Sequence, residues 1–208
     1  AVTAMATLGD QVPILTSGAE PGDHIFVTKG IPLEGTAILA DDFANTARRL
    51  GLSEADLKEA GNLYRQVSVI PEALILAKHG ASCMHDVTRG GLLETLREIA
   101  LLSNVGLTIE YDRIPMPGVA ARFSEAFGFD PMKMISSGTL VATMPESRVR
   151  EASVALAESG ISFADIGKVH VGEGVHVLRA GNLKEYLDVQ PEADELARMW
   201  VEFTPDND

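Results

Sequence analysis

Residues 85–91, HDVTRGG, stand where the hydrophobic pattern of the chain changes from a strand to a helix. Residues 81–84 are small or apolar, which predicts the end of a short buried strand. Residues 92–100 repeat apolar side chains at helical spacing, which predicts an amphipathic helix. Its predicted buried face consists of Leu92, Leu93, Leu96, Ile99 and Ala100, and its predicted solvent face of Glu94, Thr95, Arg97 and Glu98. The polar heptapeptide is therefore expected at a strand-to-helix junction.

Each polar position of this junction suits a ligand and also suits a simple turn. The pair Gly90 and Gly91 lets backbone approach a ligand closely, and the N–H groups of a helix start attract anions. Asp86 can hold a cation, Thr88 can cap the helix, and Arg89 can bind a phosphate or carboxylate through its forked donors. The same residues also form a capped helix start with a solvated arginine, so the residues alone leave both interpretations open. Because no P-loop lysine follows the glycines, the segment is not a P-loop.

Composition narrows the class of protein. The chain has 208 residues, of which 46% are apolar, so it can form a sizeable core. Its net charge of −13 argues against a nucleic-acid binder and against docking on anionic membranes. A single cysteine, Cys83, excludes an internal disulfide and leads us to expect a cytoplasmic protein. The apolar runs are too short to span a bilayer, and no leader pattern is present.

The rest of the chain predicts a mixed order of strands and helices. Strands are predicted over residues 24–28, 106–111, 138–144, 162–169 and 174–179, the last two joined as a hairpin by a glycine-rich turn. Helices are predicted over residues 34–50, 53–62, 71–80, 117–127, 145–160 and 194–200. The first of these should bury Leu39, Phe43, Ala47 and Leu50, and Ser53 with Asp56 should cap the second. This order predicts an α+β fold.

Other chemistry-bearing residues favour structural roles. None of the five histidines has a partner at metal-ligand spacing, so no metal ligands are predicted. Cys83 and His85 would share one face of a strand, yet a lone cysteine among small apolar residues is typical of core packing. Ser136 and Ser137 could bind an anion, but an ordinary loop before the next strand is favoured.

The residues resemble a known family. The segment HDVTRGGLLETLREIA is similar to the signature of the C-terminal domain of the aminoimidazole ribonucleotide (AIR) synthetase-related, or PurM, superfamily, and within it to the hydrogenase-maturation branch, the HypE proteins. Further likenesses follow in the family's order. They are EPGDHIFV at residues 20–27, IPMP at 114–117, FDP at 129–131, GTLVA at 138–142 and IGKV at 166–169. The resemblance covers about residues 20–180.

The resemblance implies an α/β/α layered C-terminal domain with partial ferredoxin-like topology. It also implies an N-terminal domain that carries most of the ATP contacts and forms a homodimer. The reaction implied is activation of a carbonyl or carbamoyl oxygen by phosphoryl transfer from ATP, with Mg²⁺, on a small-molecule or protein-carried carbamoyl or amide substrate. A non-catalytic partner-binding domain in a metalloenzyme maturation assembly is the alternative.

The resemblance also implies roles for the residues of the junction. Asp86 is expected to help with magnesium or to orient a phosphate, and Arg89 to offset charge on the transferred phosphoryl group. Thr88, Gly90 and Gly91 are expected to present hydroxyl and backbone donors to the nucleotide, and His85 to carry a proton.

The sequence departs from the hydrogenase-maturation branch in two places. That branch carries its carbamoyl group on a C-terminal cysteine, and residues 203–208 contain none. The loop before Gly138 lacks the acidic residue expected in that branch, so the substrate stays open. We expect residues 1–20 to be a lead-in from an absent N-terminal domain, residues 21–202 the AIR synthetase-related domain, and residues 203–208 a frayed acidic tail.

Overall fold

Strands and helices alternate irregularly in the computed structural model, which describes residues 3, 5, 12–186 and 194–206. The strands are β1 (His24–Thr28), β2 (Cys83–Asp86), β3 (Gly106–Glu110), β4 (Leu140–Met144), β5 (Phe163–His170), β6 (Val175–Arg179) and β7 (Asn182–Tyr186). The helices are α1 (Glu34–Asp42), α2 (Ala44–Arg49), α3 (Glu54–Asn62), α4 (Ile70–Lys78), α5 (Gly91–Ser103), α6 (Gly118–Phe127), α7 (Glu146–Glu158) and α8 (Glu195–Glu202). Most predicted elements are therefore present within a few residues of their expected bounds.

The strands of the described residues form one mixed sheet in the order β2-β4-β1-β5-β3-β6-β7. Neighbouring strands pair antiparallel, except that β3 and β6 are parallel. The strand that leads into the HDVTRGG segment, β2, lies at one edge of the sheet. The junction is therefore at the border of the sheet rather than at its centre.

Helices cover both faces of the sheet. On one face, Ile25, Val27 and Leu107 pack with the apolar stripe of α5. On the other face, Phe26, Ala142 and Met144 pack with residues of α4 and α7. A third cluster joins α1, α2, α3, α6 and α8, and its members include Leu39, Phe43, Leu57, Phe123 and Met199. The predicted α+β fold with α/β/α layers is confirmed, and no helix of the described residues is long and apolar enough to cross a bilayer.

The predicted hairpin over residues 162–179 is wrong. Strand β3 lies between β5 and β6, so these two strands do not pair with each other. The backbones of β5 and β3 approach each other closely, since a side chain at Gly167 would stand only 2.0 Å from the carbonyl oxygen of Thr108. The hairpin in this region is instead β6–β7, with Val175 opposite Tyr186.

The predicted helix over residues 34–50 is interrupted. Phe43 leaves the helical conformation (φ −128°, ψ 31°) and is fully buried, with its ring 5.0 Å from that of Trp200. The break separates α1 from α2. Leu50, which was predicted to be buried, lies past the end of α2 and is exposed.

The C-terminal residues are docked, so the prediction of a frayed tail is wrong for residues 203–206. The ring of Phe203 packs edge-on against Phe127 at 5.3 Å. The carboxylate of Asp206 accepts a hydrogen bond from the Asn45 N–H (2.6 Å), at the start of α2. Residues 207–208, and residues 1–2, 4 and 6–11 of the predicted lead-in, lie outside the described residues.

Candidate functional site

The HDVTRGG segment does lie at a strand-to-helix junction. In β2, Asp86 is opposite Leu140 of β4, and the Val87 N–H extends the pairing by donating to the Thr139 carbonyl (2.9 Å). Val87 is fully buried, which anchors the end of the strand. The segment that follows is therefore held at the end of the sheet edge.

Two glycines in the left-handed conformation turn the chain into α5. Gly90 is the N-cap residue (φ 78°), and Gly91, the first helical residue, has φ 68°. The Gly91 N–H donates to the Thr88 carbonyl at 3.0 Å. The prediction that the Thr88 hydroxyl caps the helix is wrong, because the cap position falls two residues later, on a residue without a side chain.

A second segment, residues 132–136, joins the starts of two helices. At α5, the Leu93 N–H donates to the Met132 carbonyl (2.9 Å), and a side chain at Gly91 would stand 2.5 Å from that same oxygen. At α1, the Gly35 N–H donates to the Ile135 carbonyl (3.0 Å) and the Leu33 N–H to the Ser136 hydroxyl (2.8 Å). The 132–136 segment therefore places the start of α1 beside the HDVTRGG junction.

The predicted site residues differ in accessibility. The side chain of Arg89 is 81% exposed, and its Nε lies 3.8 Å from the Oδ2 of Asp194 at the start of α8. The side chain of Asp86 is 53% exposed. His85 is mostly buried, with Nε2 2.8 Å from Glu98 Oε2 and Nδ1 2.6 Å from the Asp86 carbonyl oxygen. The structure thus brings His85 and Asp86 together, while Arg89 is exposed to solvent beside Asp194.

The backbone donors of the junction are less available than the sequence indicated. The N–H groups of Gly91 and Leu93 are already bonded to carbonyls of the chain. Gly91 also packs against the backbone of residues 132–134, where its missing side chain removes a clash. The close approach that Gly91 allows is therefore used by the backbone of residues 132–134 rather than by a ligand.

The predicted solvent face of α5 is only partly exposed. Thr95 is buried, and its hydroxyl donates to the Gly91 carbonyl (3.2 Å). Arg97 is only 5% exposed, with its Nη1 3.3 Å from Glu94 Oε2. Its Nε and Nη2 have no hydrogen-bond partner in the part of the chain that the structure describes. Helical periodicity assigned both residues to the solvent face, so it did not predict this burial.

Sequence reasoning missed Glu34, the first residue of α1. Its Oε2 atom is buried and has no hydrogen-bond partner among the described residues. The signal available in the sequence was an acidic residue directly before a glycine at a helix start, which is also an ordinary pattern of helix N-termini.

Cys83 is a core residue, as predicted. It is fully buried, and its Sγ donates to the Thr16 carbonyl at 3.2 Å. Burial raises the pKa of the thiol from 9.0 to about 12. Since the thiolate is the reactive form of cysteine, this thiol is not suited to nucleophilic chemistry near neutral pH.

The loop that contains Ser136 and the search for metal-binding groups complete the description of the site. Ser136 is fully buried, and its hydroxyl is bonded to that of Thr139 (2.8 Å), which agrees with an ordinary loop. Across residues 12–186 and 194–206, no group of three or more His, Cys, Asp or Glu side chains is arranged to hold a metal ion.

The family model described as "AIR synthase related protein, C-terminal domain" matches residues 20–179. The chain belongs to this family. Among curated relatives, the carbamoyl dehydratase HypE of Rhodobacter capsulatus is 33% identical over 157 residues, which are 74% of this chain and 42% of that protein. The thiamine-monophosphate kinase of Halobacterium salinarum is 29% identical over 158 residues, 74% of this chain and 49% of the kinase. The chain thus spans less than half of these relatives.

Solved structures of family members share the fold. The crystal structure of HypE from E. coli superposes with a TM-score of 0.65 at 21% identity, covering 85% of this chain and 53% of that one. A HypE structure in complex with ATP gives a TM-score of 0.60 at 23% identity, covering 86% and 54%. These likenesses confirm the PurM-like fold class.

Proposed function

We propose that this chain is the C-terminal domain of an ATP-dependent enzyme that activates a carbonyl or carbamoyl oxygen by phosphoryl transfer. The observation that carries the proposal is that Asp86 and Arg89 are both exposed at a junction inside the region matched to the AIR synthase-related family. A carbamoyl dehydratase and a kinase share this domain, and one relative has been solved with ATP. Of the features that these relatives share, ATP use is the one in which the exposed charges of Asp86 and Arg89 can take part.

Arg89 and Asp86 fit nucleotide phosphates in different ways. Arg89 supplies mobile, forked donors that offset charge on a transferred phosphoryl group. Asp86 supplies one carboxylate, which suits Mg²⁺, since this ion is often held by one or two carboxylates together with substrate phosphates. Gly90 and Thr88 line the same turn, and in this proposal Gly91 holds the turn rather than donating its N–H.

Several parts of the proposal concern the full-length protein. We propose that an N-terminal domain, which the relatives have beyond the matched region, makes most ATP contacts and forms the homodimer interface. Residues 21–202 are proposed to be the AIR synthetase-related C-terminal domain. The substrate is proposed to be a small-molecule or protein-carried carbamoyl or amide group. A hydrogenase-maturation-like form of this reaction is included in the proposal, although residues 203–208 contain no cysteine that could carry a carbamoyl group.

The alternative, a partner-binding domain without catalysis, is favoured by one observation. The N–H groups of Gly91 and Leu93 are bonded within the chain, so the glycine turn also makes sense as a scaffold. In that case the exposed Arg89 would contact a protein surface instead of a phosphate.

Nucleotide binding separates the two functions. ATP affinity and phosphate release should be measured for the full-length protein and for the 208-residue chain by itself. We expect the full-length protein to bind ATP, and the isolated chain to bind it weakly with negligible turnover. Robust turnover by the isolated chain would contradict this division of labour, and a full-length protein that does not bind ATP would favour the scaffold function.

A further inference from the structure

Two histidines meet on the sheet although a strand runs between theirs. His170 is the last residue of β5 and His176 is the second residue of β6, with β3 between them. Their ring centroids are nevertheless only 5.3 Å apart, and the ring planes are inclined at 52°. The neighbouring Val169 and Val175 belong to the core under α5, so the two imidazoles stand on the opposite face of the sheet, where both are partly exposed.

A glycine in β3 makes room for this contact. Gly106 is directly opposite His170, and a side chain at Gly106 would stand 2.2 Å from the Cε1 atom of the His170 ring. The ring therefore occupies the space above β3 and reaches across this strand toward His176. Gly106 does not adopt the left-handed conformation, so its missing side chain provides room rather than backbone freedom.

Hydrogen bonds to the loop between β5 and β6 determine which ring nitrogens stay free. His170 Nδ1 lies 3.0 Å from the Val171 carbonyl oxygen, and His176 Nε2 lies 3.2 Å from the Glu173 carbonyl oxygen. A carbonyl oxygen only accepts, so in the neutral rings these nitrogens carry the protons and the lone pairs are on Nε2 of His170 and Nδ1 of His176. Metal-binding histidines commonly donate their other ring N–H to a carbonyl or carboxylate in this way, which fixes the tautomer and the ring orientation.

A carboxylate stands beside the lone pair of His176. Glu185 of β7 is opposite His176, and its Oε1 lies 3.6 Å from Nδ1. This distance is too long for a hydrogen bond, and in the neutral ring both atoms are acceptors, so the complement that they lack is a cation. Lys168, two residues before His170 in β5, is instead paired with Glu146 (3.7 Å).

The separation of the two rings suits a single metal ion. Two imidazoles bound to one tetrahedral ion at about 2.0–2.1 Å have ring centroids roughly 5 Å apart, which is close to the observed separation. Imidazole nitrogens suit Zn²⁺, Cu²⁺ and Ni²⁺, whereas Mg²⁺ prefers oxygen ligands. The chemistry of the pair therefore selects a transition-metal ion or zinc.

We propose that His170 and His176 form a binding site for a divalent ion such as Zn²⁺, with Nε2 of His170 and Nδ1 of His176 as the ligands. Water completes the coordination, because no three ligating side chains converge in the part of the chain that the structure describes, and Glu185 offsets the charge of the ion. Strands β4 and β1 separate β5 from β2 and its HDVTRGG junction, so this site is distinct from the proposed ATP-dependent chemistry and does not rest on it.

The first test is a calorimetric titration of Zn²⁺ into the nucleotide-free full-length protein. We expect Zn²⁺ to bind and an excess of Mg²⁺ not to displace it. His170→Ala and His176→Ala should each weaken this binding by about tenfold or more, because even the outer-shell partners of a metal ligand are commonly worth about 10–100-fold. His79→Ala is the matched control, since His79 is also partly buried but lies at the end of α4, and it should leave Zn²⁺ affinity unchanged.

The second test separates the arrangement of the rings from their presence. Gly106→Ala keeps both imidazoles but places a methyl group where the His170 ring lies, so it should weaken Zn²⁺ binding. Long-range ¹H–¹⁵N spectra at mildly alkaline pH, where free imidazole is neutral, report the tautomers directly. We expect protons on Nδ1 of His170 and Nε2 of His176, and Zn²⁺ should shift the signals of the other two ring nitrogens.

The outcomes decide the proposal. Zn²⁺ affinity that is the same in wild type, His170→Ala and His176→Ala would overturn it, and so would a loss of affinity that His79→Ala shares. The opposite tautomers, or ring signals that Zn²⁺ leaves in place, would overturn it from the wild-type spectra alone, even where a variant does not fold.

Discussion

The Nε2 atom of His85 lies 2.8 Å from the Oε2 atom of Glu98, so the end of strand β2 is linked to the middle of α5. The other ring nitrogen, Nδ1, is 2.6 Å from the Asp86 carbonyl oxygen. Both nitrogens are therefore engaged within the chain. This arrangement gives His85 a connecting role and weakens the hypothesis that it carries a proton to a ligand.

The connecting role can be measured with a double-mutant cycle on His85→Ala and Glu98→Ala. Because Glu98 is about half exposed, the coupling should be modest, roughly 0.5 kcal/mol in unfolding free energy. Any ATP-dependent activity of the folded single mutants should stay within about threefold of wild type, a change of under 1 kcal/mol. Loss of turnover in His85→Ala with normal melting would restore the proton-carrier hypothesis.

Arg89→Ala should separate activity from stability. Removing one transition-state charge partner should lower ATP-dependent activity of the full-length protein by about 10²-fold or more. The side chain is exposed and its ion pair with Asp194 is long, so unfolding free energy should change by about 0.5 kcal/mol or less. Arg148→Ala is the control, since Arg148 is also exposed and pairs with Glu151 on its own helix. A large stability loss with normal activity per folded molecule would support the scaffold function instead.

Gly91→Ala and Gly128→Ala form a matched pair, because the two glycines have nearly the same φ, 68° and 67°. At Gly128 a side chain would meet nothing within 4 Å, whereas at Gly91 it would stand 2.5 Å from the Met132 oxygen. Gly128→Ala should cost only the left-handed penalty of about 1–2 kcal/mol. Gly91→Ala should cost about 1–3 kcal/mol more, measured by denaturant unfolding, because backbone must move. Equal losses would show that the 132–136 segment yields easily.

Cys83 should make stability depend on alkaline pH. The raised pKa means that the folded thiol stays neutral while the unfolded thiol ionises, so its contribution is present below pH 9.0 and is lost as pH rises toward about 12. The loss of stability between about pH 8 and about pH 10 should be smaller in Cys83→Ala than in wild type. An identical pH profile in the two proteins would show that the thiol is accessible in the folded state.

Cys83→Ser checks the packing at neutral pH. A buried hydroxyl with poor partners should cost about 1–3 kcal/mol, with activity per folded molecule unchanged.

Features that depend on nearby residues were predictable from the sequence. The capping box at α3 is an example, since the Asp56 N–H donates to the Ser53 hydroxyl (3.2 Å) and the Ser53 N–H to the Asp56 carboxylate (2.9 Å). The HDVTRGG junction is another, because its strand, glycines and helix follow one another directly. Such patterns contain their own partners, so periodicity and turn chemistry suffice.

Features that depend on distant residues were not predictable. The local sequence pattern of residues 162–179 does not indicate that β3 lies between β5 and β6, because β3 is more than fifty residues earlier in the sequence. Glu34 was overlooked for the same reason, since the 132–136 segment that fixes it lies about a hundred residues away. Local pattern constrains an element, while tertiary contacts decide which of its polar groups are left without a partner.

The C-terminal residues connect α8 to the break between α1 and α2. Trp200 packs on Phe43 at the break, and Asp206 both donates its N–H to the Asp42 carbonyl (2.7 Å) and accepts from the Asn45 N–H (2.6 Å). The carboxylate therefore acts as an N-terminal cap of α2, supplied from a residue more than 150 positions away.

Deleting residues 204–208 should therefore lower stability without lowering activity. Loss of the Asp206 cap should cost about 1 kcal/mol, the usual value for a helix cap. Removing residues 207–208 alone is the control, since it keeps Asp206 and should leave Tm unchanged. The deleted residues contain no thiol, so they cannot act as a thiolate nucleophile near neutral pH. ATP-dependent turnover of the full-length protein should therefore be nearly the same after either deletion.

Trp200→Ala should lower Tm further, because it exposes the buried ring of Phe43. If the five-residue deletion melts like wild type but has no turnover, these residues take part in the reaction, and their docking on α2 is a resting position of a substrate arm.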